Sequence, residues 1–410
     1  MRRPLRAAAT LLAVLVVLGP PAPALAQRAS VRAVTLDEAL KAAERAPDHL
    51  AAAAHAHATS AAVRSAGGLP PTTVTLGTSR LQAKLIAGAQ FPLPLFGRSQ
   101  AARDIARAER KVARADTGRV DLGLRHDVSL GWYELAWDQD LAKLAGAQAE
   151  RAAQLAGVAH RRFEAGDAPR QDAVQAEAAS ARAAAAASSQ RVQVDAASAG
   201  LAALIGWDPG LPVRAPGGLP TQFPRAPSLD SLSARLGSHP VMSTIDAQVA
   251  AAQARELATS REQWPLLSVG VETEALDPTL PGPDVRVTLN ADVPLLGRRG
   301  AERDTAAAER AAVEADRASL SNRAHGALVV AYRRYQAAQE QARGLGRDVV
   351  PVAQDAARLA EVAYQQGQSG IVSVLDAQRS LGDVQREWVD ARMAAAAALA
   401  DLEYAAGGAW

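Results

Sequence analysis

The chain has 410 residues, of which 49% are hydrophobic, 21% charged and only 4% aromatic, and it contains no cysteine. Disulfide staples and a cysteine-borne lipid anchor after a signal are therefore excluded, so the fold must be held by packing or by assembly. With 45 basic residues against 43 acidic ones the charge is nearly balanced, which together with so few aromatics argues against nucleic-acid binding.

Arg2, Arg3 and Arg6 precede an apolar run from Ala7 to Leu18, then prolines and Ala24-Leu25-Ala26 before Gln27. This is the order of a secretory signal with a small-residue cleavage site, and its apolar core is too short to span a bilayer. Residues 1–26 are expected as a signal peptide, which places the mature chain outside the cytoplasm. No later stretch supplies the roughly 18 consecutive apolar residues of a spanning helix, so entry into a membrane would need strands.

Residues 35–66 read as an alanine-rich helix opened by a Thr35-x-x-Glu38 capping box. After Pro70-Pro71 come two proline-bounded runs, spanning 70–95 as a hairpin, each about nine to eleven residues and long enough to cross a bilayer when tilted. From Gly97 to His160 there is no proline, and Leu130, Tyr133, Trp137, Leu141 and Leu144 recur along the stretch. It reads as one helix over 97–165, of which the proline-free stretch to His160 alone extends roughly 95 Å at the helical rise. Trp132, Tyr133 and Trp137 are read as packing between helices. A glycine turn at Gly166 leads into a return helix over 168–206.

The same order then recurs: a helix after Ser228, a hairpin over 264–296, a long helix over 297–366 with a kink at Pro351, a turn at Gly367 and a return helix over 370–406. In the second hairpin Val269, Val271, Val285, Val287 and Leu289 share one parity, and Glu272, Glu274, Arg286, Thr288 and Asn290 the other. One face is lipid-compatible and the other wet.

The repetition extends to the residues. FPLPLFGRSQAARD (91–104) and ADVPLLGRRGAERD (291–304) share Pro94 with Pro294, Gly97 with Gly297 and Arg98 with Arg298. FEAGDAPRQDAVQAEA and YQQGQSGIVSVLDAQ align on Gly166 and Gly367, and TLDEAL aligns with SLDSLS. Three blocks in one order mean an internal duplication, with a first repeat over 27–227 and a second over 228–410. Four strands cannot close a barrel, since the smallest membrane barrels have about eight, so other copies must complete the edges. A tube with strands at one end and long helices at the other is the expected assembly.

The paired strand-exit motifs, the paired turn motifs and the LDEAL…AP segment together resemble the TolC-like outer-membrane efflux proteins, across essentially the whole mature chain. Within that family the short length and compact hairpins look more like the cobalt-zinc-cadmium type of channel. The resemblance implies a fold that is mainly α with a small membrane β part: a trimeric α/β barrel built from two internal structural repeats, with four strands and long coiled-coil helices per protomer. It implies a homotrimer in outer-membrane lipid, reaching into the periplasm of a Gram-negative-type cell, with a periplasmic adaptor and an inner-membrane pump as partners and no cofactor.

The resemblance also assigns residues. The tips that meet the adaptor are Gly166, Asp167, Gly367 and Gln368. Carboxylates of the family's periplasmic aperture fall on Ser373 and Asp376, so one is kept and one replaced. An aperture latch, a phenol donating to a carboxylate, falls on Tyr364 and Asp172, while the family's nearby tip arginine falls on Ser369. A ring of Asp376 side chains would favour cations. The expected function is a passive duct exporting metal ions or small toxic compounds; the exit duct of a type I protein secretion system and a pore-less periplasmic coiled-coil scaffold stay open. No nucleophile elbow or phosphate-binding glycine loop points to an enzyme.

Overall fold

The computed structural model describes residues 31–68, 71–79, 84–275, 284–293 and 298–410. The expected signal peptide, together with Pro294, Gly297 and the side chain of Arg298, lies outside the described residues.

The first helices begin where local chemistry dictates. Strand β1 (Arg32–Ala33) leads into α1 (Leu36–Ala43), whose capping box is complete: the Thr35 hydroxyl accepts from the Glu38 amide, and the Glu38 carboxylate accepts from the Thr35 amide at 2.9 Å. The single helix expected over 35–66 is in fact two. Helix α2 (Pro47–Ser65) starts afresh because Pro47 forces Ala46 into extended backbone, φ −65 and ψ 151, and proline then suits the first helical position.

Four strands form one antiparallel sheet: β2 (Thr73–Ser79), β3 (Lys84–Leu93), β5 (Leu266–Ala275) and β6 (Asp284–Asp292), in the order β2-β3-β5-β6. Between the hairpins in sequence lies the two-residue β4 (Val213–Arg214), which pairs in parallel with β1. Register explains the alternation of the sequence. Val74, Ala89, Val271 and Val287 lie in one cross-strand row, and Phe91, Val269 and Leu289 in another. The side chains of this face stand bare, with Leu76 and Val287 each 75% exposed. On the opposite face the row Thr75, Gly88, Glu272, Arg286 is polar; Arg286 donates to Glu274 at 3.1 Å, and Gln90 donates to Ser268 at 2.6 Å.

Helices dominate the rest. Helix α3 (Arg98–Glu164) runs 67 residues without a break, about 100 Å at the α-helical rise. It returns through α4 (Arg170–Leu204), and the chain crosses through α5 (Leu229–Arg235) and α6 (Pro240–Glu262) to the second hairpin. There α7 (Arg298–Gly344), α8 (Val350–Gln365) and α9 (Ile371–Ala405) follow. Between α7 and α8 sits a π-turn over Leu345–Val349, just ahead of Pro351, whose missing N–H and ring clash disturb the carbonyl four residues back. Among the described residues no helix is long and apolar enough to cross a membrane.

The largest buried core gathers Val34 ahead of α1, Leu135 of α3, Leu201 and Ile205 at the end of α4, and Val213 and Leu219 of the segment joining the repeats. Trp132 donates its indole N–H to the Val34 carbonyl at 2.8 Å and meets Tyr133 edge-on. A buried ion pair fixes the joining segment. Arg392, only 8% exposed, reaches Asp140 at 3.1 Å and also donates to the carbonyls of Pro220 and Leu219, while Asp140 accepts from the Leu219 amide. Gly218 has φ +72, and any Cβ there would collide with the Asp140 carboxylate. Burial lowers the Arg392 pKa and Asp140 opposes that shift.

His126 ties α3 to α9 through Asp401 at 2.9 Å, with Asp127 on its other nitrogen at 3.1 Å. Burial alone would lower its pKa, but the bonds to Asp401 and Asp127 outweigh it and the net shift is upward.

Two expected outcomes follow from these contacts. Arg392→Met removes the buried partner of Asp140 and leaves it only the exposed Lys143 at 3.2 Å as counter-charge, which should cost up to about 3–5 kcal/mol, read as a lower melting temperature and faster proteolysis within residues 207–228. For His126, a raised folded pKa means that its stabilisation is full below the unfolded value and is lost as pH rises through the folded one. The loss of stability in His126→Gln should therefore be greater at about pH 5.5 than at about pH 8.5, measured by thermal unfolding at both.

Candidate functional site

The sequence-predicted residues fall in two places, the strand-to-helix exit and the tips where α3 turns into α4 and α8 into α9. At the exit, Pro94 follows β3, Phe96 takes the left-handed conformation with φ 58, and Gly97 follows at φ 78 to seat the start of α3. The Phe96 ring stacks on Trp264 at 5.3 Å with an interplanar angle of 14°. Arg98 then donates to the carbonyls of Glu262 at 3.0 Å and Trp264 at 2.6 Å, which staples the first residue of α3 to the junction of α6 and β5. The motif's arginine thus satisfies carbonyls left over at a helix end. In the second copy only Arg298, opening α7, is described.

The two tips are built alike. Gly166 has φ 80 and Gly367 φ 76, and the residue after each, Asp167 and Gln368, returns its amide at 2.8 Å to the carbonyl five back, Arg162 and Ala363. These are glycine-terminated helix ends, and L side chains rarely adopt that backbone. All four tip residues are exposed. Behind them Leu155, Ala159 and Ala176 of the first hairpin pack with Tyr364, Ile371, Val374 and Leu375 of the second. Farther along, a cavity of about 450 Å³ opens between α3, α4, α8 and α9, with Arg151, Arg182, Arg358, Arg379 and Arg386 in its walls alongside Glu361 and Asp383.

Tyr364 is 1% exposed, and its hydroxyl has no hydrogen-bond partner among the described residues. The expected phenol-to-carboxylate bond with Asp172 is not made. The ring is drawn into the apolar cluster, and Asp172 stays in the first turn of α4, where a carboxylate suits the positive end of the helix. Burial pushes the Tyr364 phenol above its ordinary pKa and the charge of Asp172 adds to this, with Arg162 opposing. Ser369, where the resemblance places an arginine, also buries a hydroxyl oxygen without a partner.

Ser373 and Asp376 are exposed on the first turns of α9. Asp376 is not alone: it accepts from Arg379 at 2.7 Å, three residues on along the same face. The expected uncompensated carboxylate is therefore one half of a charge pair within its own helix. Two residues of the site were not singled out in the sequence. Arg379 stands at the helical i,i+3 spacing from Asp376 and was legible by that rule. Arg162, in the last turn of α3, was legible only as a basic residue at a helix C-terminus.

A family model described as "Outer membrane efflux protein" matches the chain twice, over residues 38–207 and 232–408. The chain belongs to the outer membrane efflux protein family. Two matches in tandem also mean that each half carries the family pattern by itself. That family comprises channels of efflux systems and not enzymes. Solved structures of the same fold include CusC, at 18% identity with a TM-score of 0.77 and 92% of each chain covered. VceC from Vibrio cholerae aligns at 19% identity and a TM-score of 0.75, over 91% of this chain and 96% of its own. The open state of the MtrE outer membrane channel from Neisseria gonorrhoeae aligns at 18% identity and a TM-score of 0.75, over 91% of this chain and 89% of its own. No curated protein sequence matches the chain.

Because the Tyr364 hydroxyl is buried without a partner, Tyr364→Phe should hold or raise stability, with a gain of up to about 1–3 kcal/mol from removing an unsatisfied group. Tyr364→Ala, which opens a hole in the tip cluster, should cost about 3–5 kcal/mol. Thermal unfolding of the two variants beside the wild type reads both.

Proposed function

We propose that three copies of the chain assemble into a passive outer-membrane duct that carries metal ions or small toxic compounds outward, fed through a periplasmic adaptor by an inner-membrane pump. The observation that carries this reading is the four-stranded sheet, apolar on one face, polar on the other and unpaired at β2 and β6 among the described residues, which runs on into the helix α3 of about 100 Å. A sheet so built satisfies its edges in hydrocarbon only by pairing with further copies, and its polar face then lines a wet lumen. Family membership in both halves supports the same reading, with the similarity to CusC, VceC and MtrE extending over nearly the full length of each.

In this assembly residues 1–26 serve as the export signal, the repeats divide near residue 228, and Gly166, Asp167, Gly367 and Gln368 face the adaptor. Ser373 and Asp376 line the entrance, where threefold symmetry brings the Asp376–Arg379 pairs around one axis. Each carboxylate has its own arginine, so the field favours cations only weakly.

Purified protein in planar lipid bilayers tests the reading. Wild type should insert and give small openings with weak cation preference, and Asp376→Asn, which leaves Arg379 uncompensated, should shift the reversal potential in a salt gradient toward anions. Protein that stays soluble and never inserts would return the scaffold reading to the front, and an unchanged reversal potential would move the constriction away from Asp376.

A further inference from the structure

Helices α3 and α8 both end at the tips, at Glu164 and Gln365. Each terminus carries carbonyls without an intrahelical donor and the negative end of its helix dipole. Two such ends side by side repel and call for a cation between them. One residue supplies it. Arg162, half-buried on the last turn of α3, donates through Nη1 to the Tyr364 carbonyl at 2.6 Å and through Nη2 to the Asp167 carbonyl at 3.3 Å. Its guanidinium carbon sits 4.7 Å from the centre of the Tyr364 ring, and Nη2 passes Gly367 at 3.6 Å from where a Cβ would stand.

We propose that Arg162 is the clamp that joins the two tips of the chain, and that in the duct it sets how readily the entrance opens. The second clause rests on the duct reading; the first does not. A single planar side chain meets a carbonyl of its own turn, a carbonyl of the other turn and the face of a buried ring. Only a guanidinium has this fork of donors together with a flat face for stacking, and an ammonium can reproduce the charge but not the geometry. The neighbouring Arg161 is exposed, and its side chain makes no hydrogen bond or ion pair among the described residues. The polar ties across the tips therefore run through Arg162, since the Tyr364 hydroxyl contributes none. The apolar cluster behind supplies cohesion without direction, and the clamp supplies the register in which the two turns meet.

Hydrogen–deuterium exchange of the full chain in detergent tests the clamp, comparing wild type, Arg162→Met and Arg162→Lys at residues 163–168 and 364–369. Arg162→Met should speed exchange about tenfold in both turns at once, the size expected from losing charge-assisted hydrogen bonds, and Arg162→Lys should recover only part of it. Acceleration confined to 163–168, or a lysine variant indistinguishable from wild type, would overturn the clamp. The same proteins in planar bilayers test the second clause: Arg162→Met should conduct at least several-fold more than wild type. Loosened turns with unchanged conductance would overturn the gating role and keep the clamp. Folded, inserted protein that never conducts in any variant would overturn the duct reading while the exchange result still decides the clamp. If the methionine variant does not fold, the lysine variant carries the comparison.

Discussion

A strand edge cannot be left unpaired in hydrocarbon, and β2 and β6 each have one. Much else in the structure is arranged around that constraint. The cross-strand rows place Val74, Ala89, Val271 and Val287 side by side, so the apolar face runs from one edge to the other and carries no charge in its rows, only threonines such as Thr273 among its aliphatic side chains. A soluble four-stranded sheet would cover such a face with a helix, because bare apolar surface of that extent is unfavourable in water. Here the helices run on from the strand ends through Gly97 and Arg98 and leave the face free. In the proposed assembly identical copies satisfy both edges, and the internal duplication lets few copies suffice.

The same physics that keeps the sheet bare makes the long helices thinly packed. Helix α4 buries mostly alanine and serine, and the space between α3, α4, α8 and α9 holds a cavity walled by arginines and glutamines. Cohesion is concentrated at two levels. Between α3 and α9, Arg392 and Asp140 are buried together and fastened to the segment that joins the repeats; breaking such a pair leaves Asp140 with only the exposed Lys143 as counter-charge. At the tips the hold comes from a small apolar cluster and from Arg162 on exposed turns. In the proposed duct the first level would resist opening and the second tolerate it, as an entrance that changes shape on a fixed body requires.

Much of this was legible in the residues. Parity in the second hairpin anticipated the two faces of the sheet, and the ladder confirms that Val271 and Val287 stand opposite each other. The family was legible because its motifs occur twice, and the match in both halves agrees. The break at Pro47 was readable from the rule for the residue before proline, yet alanine richness on both sides masked it. The buried pair was not legible: Asp140 and Arg392 belong to different repeats, and only the folded path of residues 219 and 220 brings their partners together. At the tips a motif located Tyr364 and Asp172 but not the state of the phenol, because whether a hydroxyl bonds or is buried depends on how deeply Ile371 and Val374 draw the ring inward.

The charge pattern at the proposed entrance follows from the same distinction between position and partner. Asp376 on its own would present an uncompensated carboxylate, and a ring of such groups around an axis would bind cations strongly enough to retain them. Pairing with Arg379 along one helix face leaves the carboxylate in place while cancelling most of its long-range field. Both groups are about two-thirds exposed, at 62% and 63%, so the bond itself adds little to stability. In the proposed duct its effect is electrostatic: a nearly neutral constriction prefers cations only weakly and passes what the proposed upstream partners deliver. Specificity in that proposed duct then resides in the delivery and not in the wall.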